Sequence, residues 1–217
     1  AFGPWMSSNG WNTQKEAEEQ IRQMKQTAIP ATVMVLEAWS DEETFYIWND
    51  AEYEPSEDDR PLSYRQFTFP KEGKWPNPKA FTQGLEDSGV KLILWQIPVI
   101  KHEERPHGRQ LDMDEAYAIE HGLCIRNKDG TPYRITEMWF ANSLIPDFSN
   151  EETCKWWFNK RRYLVEELHV AGFKTDGGEF LFEPESRLAD GREIAEAHND
   201  FPNLYVGAYH SFLEQTV

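Results

Sequence analysis

Along this 217-residue chain, short apolar runs alternate with segments of helical spacing, and the gaps between them are unequal. The loops after the second, third and fourth apolar runs are long, whereas those after the helices are short. An apolar start at Phe2–Met6 precedes Thr13-Gln-Lys-Glu16, which reads as a capping box. Ala17, Ile21, Met24 and Ala28 then share a helical face until Pro30. Thr32–Trp39 is suited to a buried parallel strand. A polar and aromatic stretch from Ser40 to about Trp75 has no clear period and reads as a functional insertion.

The cycle repeats. Asn77 and Pro78 read as an N-cap and first helical residue, Phe81 and Leu85 share a face, and Gly89 suits a C-cap. Val90–Ile97 is the next strand, followed by an irregular stretch from about Val99 to Phe148. Ser149-Asn-Glu-Glu152 reads as a second capping box. The helix it opens carries Trp157, Leu164 and Leu168 through to about Val170. Gly172–Asp176 is a short strand ending in a carboxylate, and Tyr205, Tyr209 and Phe212 mark a last helix.

Strict alternation predicts an α/β fold with a parallel sheet and crossover helices. Four units are half of a (β/α)8 TIM barrel, and long loops after strands are how such a barrel builds its active-site face. Residues 1–217 are therefore expected to be the N-terminal half of that barrel, within a longer multidomain protein. The open doubly wound competitor loses its usual nucleotide-binding form, because no G-x-G-x-x-G or G-x-x-x-x-G-K-[ST] turn follows any strand.

Composition narrows the function. A net charge of −16 argues against a nucleic-acid partner. No apolar run is long enough to span a membrane, and no membrane partner is expected. No basic segment followed by an apolar stretch marks a leader at the N-terminus. Cys124 and Cys154 are too few and too far apart for a disulfide framework or zinc ribbon, which favours a reducing, cytoplasmic setting over secretion. His102 and His107 sit in a hydrated-looking loop without a supporting ligand cluster, so no metal and no cofactor is expected. The acidic stretch Glu52–Asp59 lacks the glycine and spacing of a calcium loop. Aromatic residues make up 14 % of the chain.

If strand ends face the site, the residues that matter are Glu37, Trp39, Trp95, Lys174, Asp176 and Glu179. Aromatic faces stack on the C–H faces of a pyranose. Carboxylates accept hydrogen bonds from its hydroxyls, and one can attack the anomeric carbon. Lys174, two residues before Asp176, is expected on the same side of the strand, where its ammonium would keep that carboxylate ionised. Alone, Asp176-Gly-Gly is also an ordinary turn sequence.

Phe173-Lys-Thr-Asp-Gly-Gly-Glu179 resembles the nucleophile motif of glycoside hydrolase family 31. Pro76-Asn-Pro-Lys79, Gly89-Val-Lys91 and Trp95-Gln-Ile-Pro98 are similar to that family's signals around the third barrel strand. Pro146-Asp-Phe-Ser-Asn150 with Trp156-Trp157, and His198-Asn199, continue the resemblance in order along the chain. The resemblance implies a retaining α-glycosidase with Asp176 as catalytic nucleophile, Lys174 and Glu179 in support, and Trp95 lining the sugar pocket. It places Glu37 and Trp39 against the sugar's far hydroxyls. Leu36-Glu-Ala-Trp39 departs from the Asp-containing strings of common α-glucosidases and α-xylosidases, and Gly177-Gly178 from the more frequent Phe-Gly. The family's acid/base aspartate, in a W-x-G-D string after an R-S segment, has no counterpart and is expected beyond this chain.

The implied partners are an oligosaccharide or other α-glycoside as substrate and the rest of the parent enzyme. A half-barrel also exposes two strand edges, which predicts self-association or poor stability when the chain stands alone. Two alternatives remain: an α-galactosidase of a related barrel family, which also places Lys-x-Asp at a strand end, and a non-catalytic carbohydrate-binding fragment.

Overall fold

The computed structural model describes residues 3–56 and 58–216. Four strands, β1 (Trp5–Ser8), β2 (Val33–Leu36), β3 (Lys91–Gln96) and β4 (Gly172–Thr175), form one sheet in that order. Every pairing is parallel, so each connection must cross over through other structure. Helices α1 (Gln14–Thr27) and α2 (Pro78–Asp87) make the first two crossovers. The alternation written in the sequence is thus realised as four consecutive β/α units, half of the (β/α)8 arrangement. The expected first strand includes Phe2, which lies outside the described residues.

Local chemistry explains most element ends. Thr13 accepts from Glu16 N at 3.2 Å, and α1 stops at Ala28 in the left-handed region. Asn77 accepts from Ala80 N at 3.0 Å ahead of Pro78, where the missing proline N–H costs nothing. Helix α2 is capped by Ser88, with Gly89 following at φ +70°. Phe81 and Leu85 are buried against the sheet, each stabilising the fold by roughly 1.5–3 kcal/mol.

The stretch from Val99 to Phe148 is not wholly irregular, because it contains α3 (Arg109–Glu120). The buried face of α3 is Gln110, Leu111, Asp114 and Ala118. Two of those four are polar, which is why no apolar stripe announced the helix. The second expected capping box also differs: Asn150, not Ser149, caps α4 (Glu151–Asn159), while Ser149 donates to Asp147 at 2.7 Å. The single helix expected as far as Val170 is two, α4 and α5 (Arg162–Glu166), because Lys160 and Arg161 turn inward at the break. A short α6 (Ile194–Ala197) and the long α7 (Phe201–Thr216) complete the chain.

Register decides what each strand presents. Parallel partners point to the same side, and the side alternates along a strand. Ser7 pairs with Val35, Val35 with Ile93, and Trp95 with Lys174. Continuing the alternation brings Ser7, Glu37, Trp95, Lys174 and Asp176 to one face at the carboxyl ends of the strands. Leu92, Leu94 and Gln96 take the other face, against the helices, where Phe173 meets the edge of Tyr209 from α7 at 5.3 Å. Among the described residues no helix is long and apolar enough to cross a membrane.

Candidate active site

A cavity of about 630 Å³ opens at the carboxyl ends of the strands. All four β/α units contribute to it: Asn9 after β1, Glu37 and Phe45 after β2, Trp95 and Phe140 from β3 and its loop, Lys174 and Asp176 from β4. Asp176 is exposed into it with both carboxylate oxygens engaged. Trp95 Nε1 donates to Oδ2 at 2.8 Å, and Gly177 N donates to Oδ1 at 3.1 Å. The Asp176 N–H donates to Gln96 O at 2.8 Å, fixing the backbone beneath the carboxylate.

The chain then turns away through Gly177 (φ +74°) and Gly178 (φ +102°). A side chain at position 177 would be strained by the backbone and would press on Ile97 at 3.1 Å. Two glycines here follow from aiming Asp176 into the cavity and reversing the chain at once.

Lys174 does share the face of Asp176, but its ammonium is engaged elsewhere. Lys174 Nζ lies 2.9 Å and 3.1 Å from the two oxygens of Glu37, and Ser7 Oγ donates to Glu37 Oε1 at 2.7 Å. The groups hydrogen-bonded to the Asp176 carboxylate are therefore the neutral N–H groups of Trp95 and Gly177 rather than the cation anticipated from spacing. Glu37 and Lys174 form a polar pair in the cavity lining, with donors and acceptors that a sugar's hydroxyls can replace.

Trp39 is not part of the cavity wall. Strand β2 ends at Leu36, and an antiparallel bridge between Ser40 and Trp48 folds the chain back. Trp39 is left 0 % exposed, edge-on to Trp48 at 5.1 Å. Its Nε1 donates to Trp95 O at 3.0 Å, so it braces the wall from behind. Glu179 is exposed beyond the glycine turn and lies outside the cavity wall.

The aromatic surfaces come from residues that strand-end reasoning did not reach. Phe45 meets Trp95 edge-on at 5.5 Å and Phe140 at 6.1 Å. Trp139, 77 % exposed, tilts against Phe140 on the cavity rim. An apolar Met-Trp-Phe run inside a polar loop was the available signal. On the rim, Glu103 is paired with Arg105 at 2.9 Å and Lys101 at 3.2 Å. The Arg105 hydrogen bonds hold its carboxyl well below the usual carboxylate range, so Glu103 is unsuited to donating a proton. Among the described residues no group of three or more His, Cys, Asp or Glu side chains is placed to hold a metal ion.

A carboxylate oriented by neutral donors, in an aromatic-walled and polar-floored cavity at a sheet's carboxyl end, is an arrangement able to attack a sugar's anomeric carbon. Known proteins share the sequence and fold that hold this site. The family model for the glycosyl hydrolases family 31 TIM-barrel domain matches residues 1–217. The chain is 43 % identical over 213 residues to an isomaltosyltransferase of Sporosarcina globispora, covering 98 % of this chain and 19 % of that protein. It is 41 % identical over 212 residues to a 1,3-alpha-isomaltosidase of Kribbella flavida, covering 98 % of this chain and 29 % of the relative. Among solved structures, the cycloalternan-degrading enzyme of Trueperella pyogenes in complex with cycloalternan superposes with a TM-score of 0.95 at 41 % identity, over 99 % of this chain and 29 % of that one. These relatives are several times longer, and the chain spans less than a third of each. The chain belongs to glycosyl hydrolase family 31 and forms four consecutive β/α units of that family's TIM-barrel domain.

Proposed function

We propose that the protein containing this chain cleaves α-glycosidic bonds with retention of configuration, with Asp176 as the nucleophile. The observation that carries this reading is the Asp176 carboxylate itself, open to the cavity and aimed by Trp95 Nε1 at 2.8 Å. An Asp176 oxygen attacks the anomeric carbon as the bond to the leaving sugar's oxygen breaks. That oxygen takes a proton from an acid supplied by sequence beyond this chain. The same group, now a base, deprotonates the water that releases the sugar from Asp176. If an acceptor sugar's hydroxyl replaces water, the product is a transferred glycosyl unit. Glu37 and Lys174 bind hydroxyls of the reacting sugar, while Phe45, Phe140 and Trp139 present apolar faces to its ring.

The relatives support a finer statement. Proteins that share this segment at about 40 % identity are named for isomaltosyl chemistry, and one solved relative binds cycloalternan. The substrate proposed here is accordingly an α-glucan carrying isomaltosyl units.

The test is Asp176→Ala in the full-length protein. Turnover of aryl α-glucosides and isomaltosyl oligosaccharides is expected to fall by about 10⁴-fold or more; retained turnover would refute the assignment. Aryl α-xylosides and α-galactosides in the same assay separate the glycones, and a preference for α-galactosides would overturn the isomaltosyl reading.

A further inference from the structure

Gln96 is the last residue of β3 and is 0 % exposed, although its neighbour Trp95 faces the cavity. A glutamine side chain can donate two hydrogen bonds and accept two. Gln96 makes all four. Its Nε2 donates to Phe45 O at 2.6 Å and to Trp95 O at 2.8 Å. Its Oε1 accepts from Arg161 Nε at 2.5 Å and from the Tyr209 hydroxyl at 2.9 Å. Arg161 has only donors, so the carbonyl end must face it and the NH₂ end must face the two backbone carbonyls. The orientation of the amide is fixed by chemistry.

The groups behind Gln96 are themselves held. The Arg161 guanidinium lies 3.5 Å from the ring centre of Trp157 and donates from Nη1 to Trp157 O at 3.0 Å. Trp157 Nε1 donates to the Tyr209 hydroxyl at 2.9 Å. In front of Gln96 stand the two carbonyls it holds, those of Phe45 and Trp95, whose rings pack together in the cavity wall. Its own backbone carbonyl accepts from Asp176 N, and Trp95 Nε1 holds Asp176 Oδ2.

From this juxtaposition we infer that Gln96 is a positioning residue for the Asp176 carboxylate, acting through the two carbonyls its amide clamps and the Trp95 indole they orient. The inference rests on the nucleophile reading of Asp176. Its acting half is the NH₂ group; the carbonyl half anchors it to the buried layer. Displacing a reacting group by about 1 Å costs on the order of 100-fold in rate, so loosening Trp95 should be visible in kcat.

Gln96→Glu separates the halves. It keeps two acceptors for Arg161 and Tyr209 and loses both donors toward Phe45 and Trp95. In the full-length protein, with an aryl α-glycoside, kcat for Q96E is expected to fall 10- to 100-fold while KM shifts less than threefold. Tyr209→Phe removes two bonds, to Gln96 Oε1 and from Trp157 Nε1, both on the anchoring side, and should change kcat less than threefold. Should Q96E fail to fold, Gln96→Met is read in the same way against Tyr209→Phe. Asp176→Ala is run alongside. An inactive D176A with Q96E or Q96M within threefold of wild type in kcat would overturn the proposal and leave Gln96 as a partner for Arg161 alone. Turnover by D176A would instead remove the nucleophile reading and the proposal with it.

Discussion

The two faces of the sheet carry polar groups of opposite character. On the cavity face, Asp176, Glu37 and Lys174 are polar and partly open to solvent, and their hydrogen bonds can be exchanged for those of a sugar. On the helix face, Gln96, Arg161, Lys160, Asp114, Tyr46 and Tyr209 are buried and bonded to one another. Water can replace a partner lost from the first group but not from the second. The same residue types therefore serve recognition on one face and rigidity on the other, separated by a single step along the strand from Trp95 to Gln96.

That contrast breaks most sharply at Asp114. It accepts from the Tyr46 hydroxyl at 2.5 Å and from Gln110 Nε2 at 2.8 Å, and pairs with Lys160 Nζ at 3.1 Å. Asp114→Ala leaves the Lys160 ammonium buried without its carboxylate. The expected cost is about 3–5 kcal/mol, read from denaturant midpoints of the full-length protein. Adding Lys160→Met should recover much of the loss, because removing both charges also removes the burial penalty. A loss below about 1 kcal/mol for Asp114→Ala would show that this layer is not the rigid one.

Asp41 sharpens the comparison at the junction of the two regions. It opens the loop after β2 and accepts from Thr44 N at 3.0 Å and Glu43 N at 3.1 Å. Burial nonetheless pushes its carboxyl up from 3.8 to about 6. Ionising it therefore costs more in the folded chain than in the unfolded one. Its favourable contribution is complete below about 3.8 and disappears as pH rises through about 6. Asp41→Asn keeps an acceptor oxygen and removes the titration. Between pH 4 and 6, the variant should flatten a stability change of up to about 3 kcal/mol. An unchanged pH slope would show that the loop solvates Asp41 fully.

The sequence disclosed the scaffold more completely than the site. Capping residues such as Thr13 and Asn77, and the strand sequences, act within a few residues of themselves, so their effect is local and readable. The alternation of side chains likewise put Lys174 and Asp176 on one side of their strand, which the register of the sheet extends to Glu37 and Trp95. The rest depends on contacts across the chain. Trp39 was drawn into the core by the Ser40–Trp48 bridge, and Lys174 was drawn to Glu37, 137 residues away in sequence. Helix α3 buries Gln110 and Asp114 because their partners Ser56, Tyr46 and Lys160 come from other segments. No window of sequence contains both halves of such bonds.

The smallest expected effects test which carboxylates belong to the cavity face. Glu37 and Glu179 both follow strand ends, and both looked like sugar ligands in the sequence. Glu37 meets Lys174 and Ser7 inside the cavity wall, whereas Glu179 is exposed beyond the turn at Gly177 and Gly178. Glu37→Gln is nearly isosteric but removes the charge opposite Lys174. The pair is partly solvated, so stability should move by about 1 kcal/mol or less. KM for oligosaccharides should rise about tenfold, the equivalent of about 1.4 kcal/mol of lost binding. Glu179→Gln removes a charge from solvent and should leave midpoint within about 0.5 kcal/mol and kcat/KM within twofold. Equal losses in the two variants would mean that the cavity face extends past the glycine turn, and that the boundary drawn at Gly177 is misplaced.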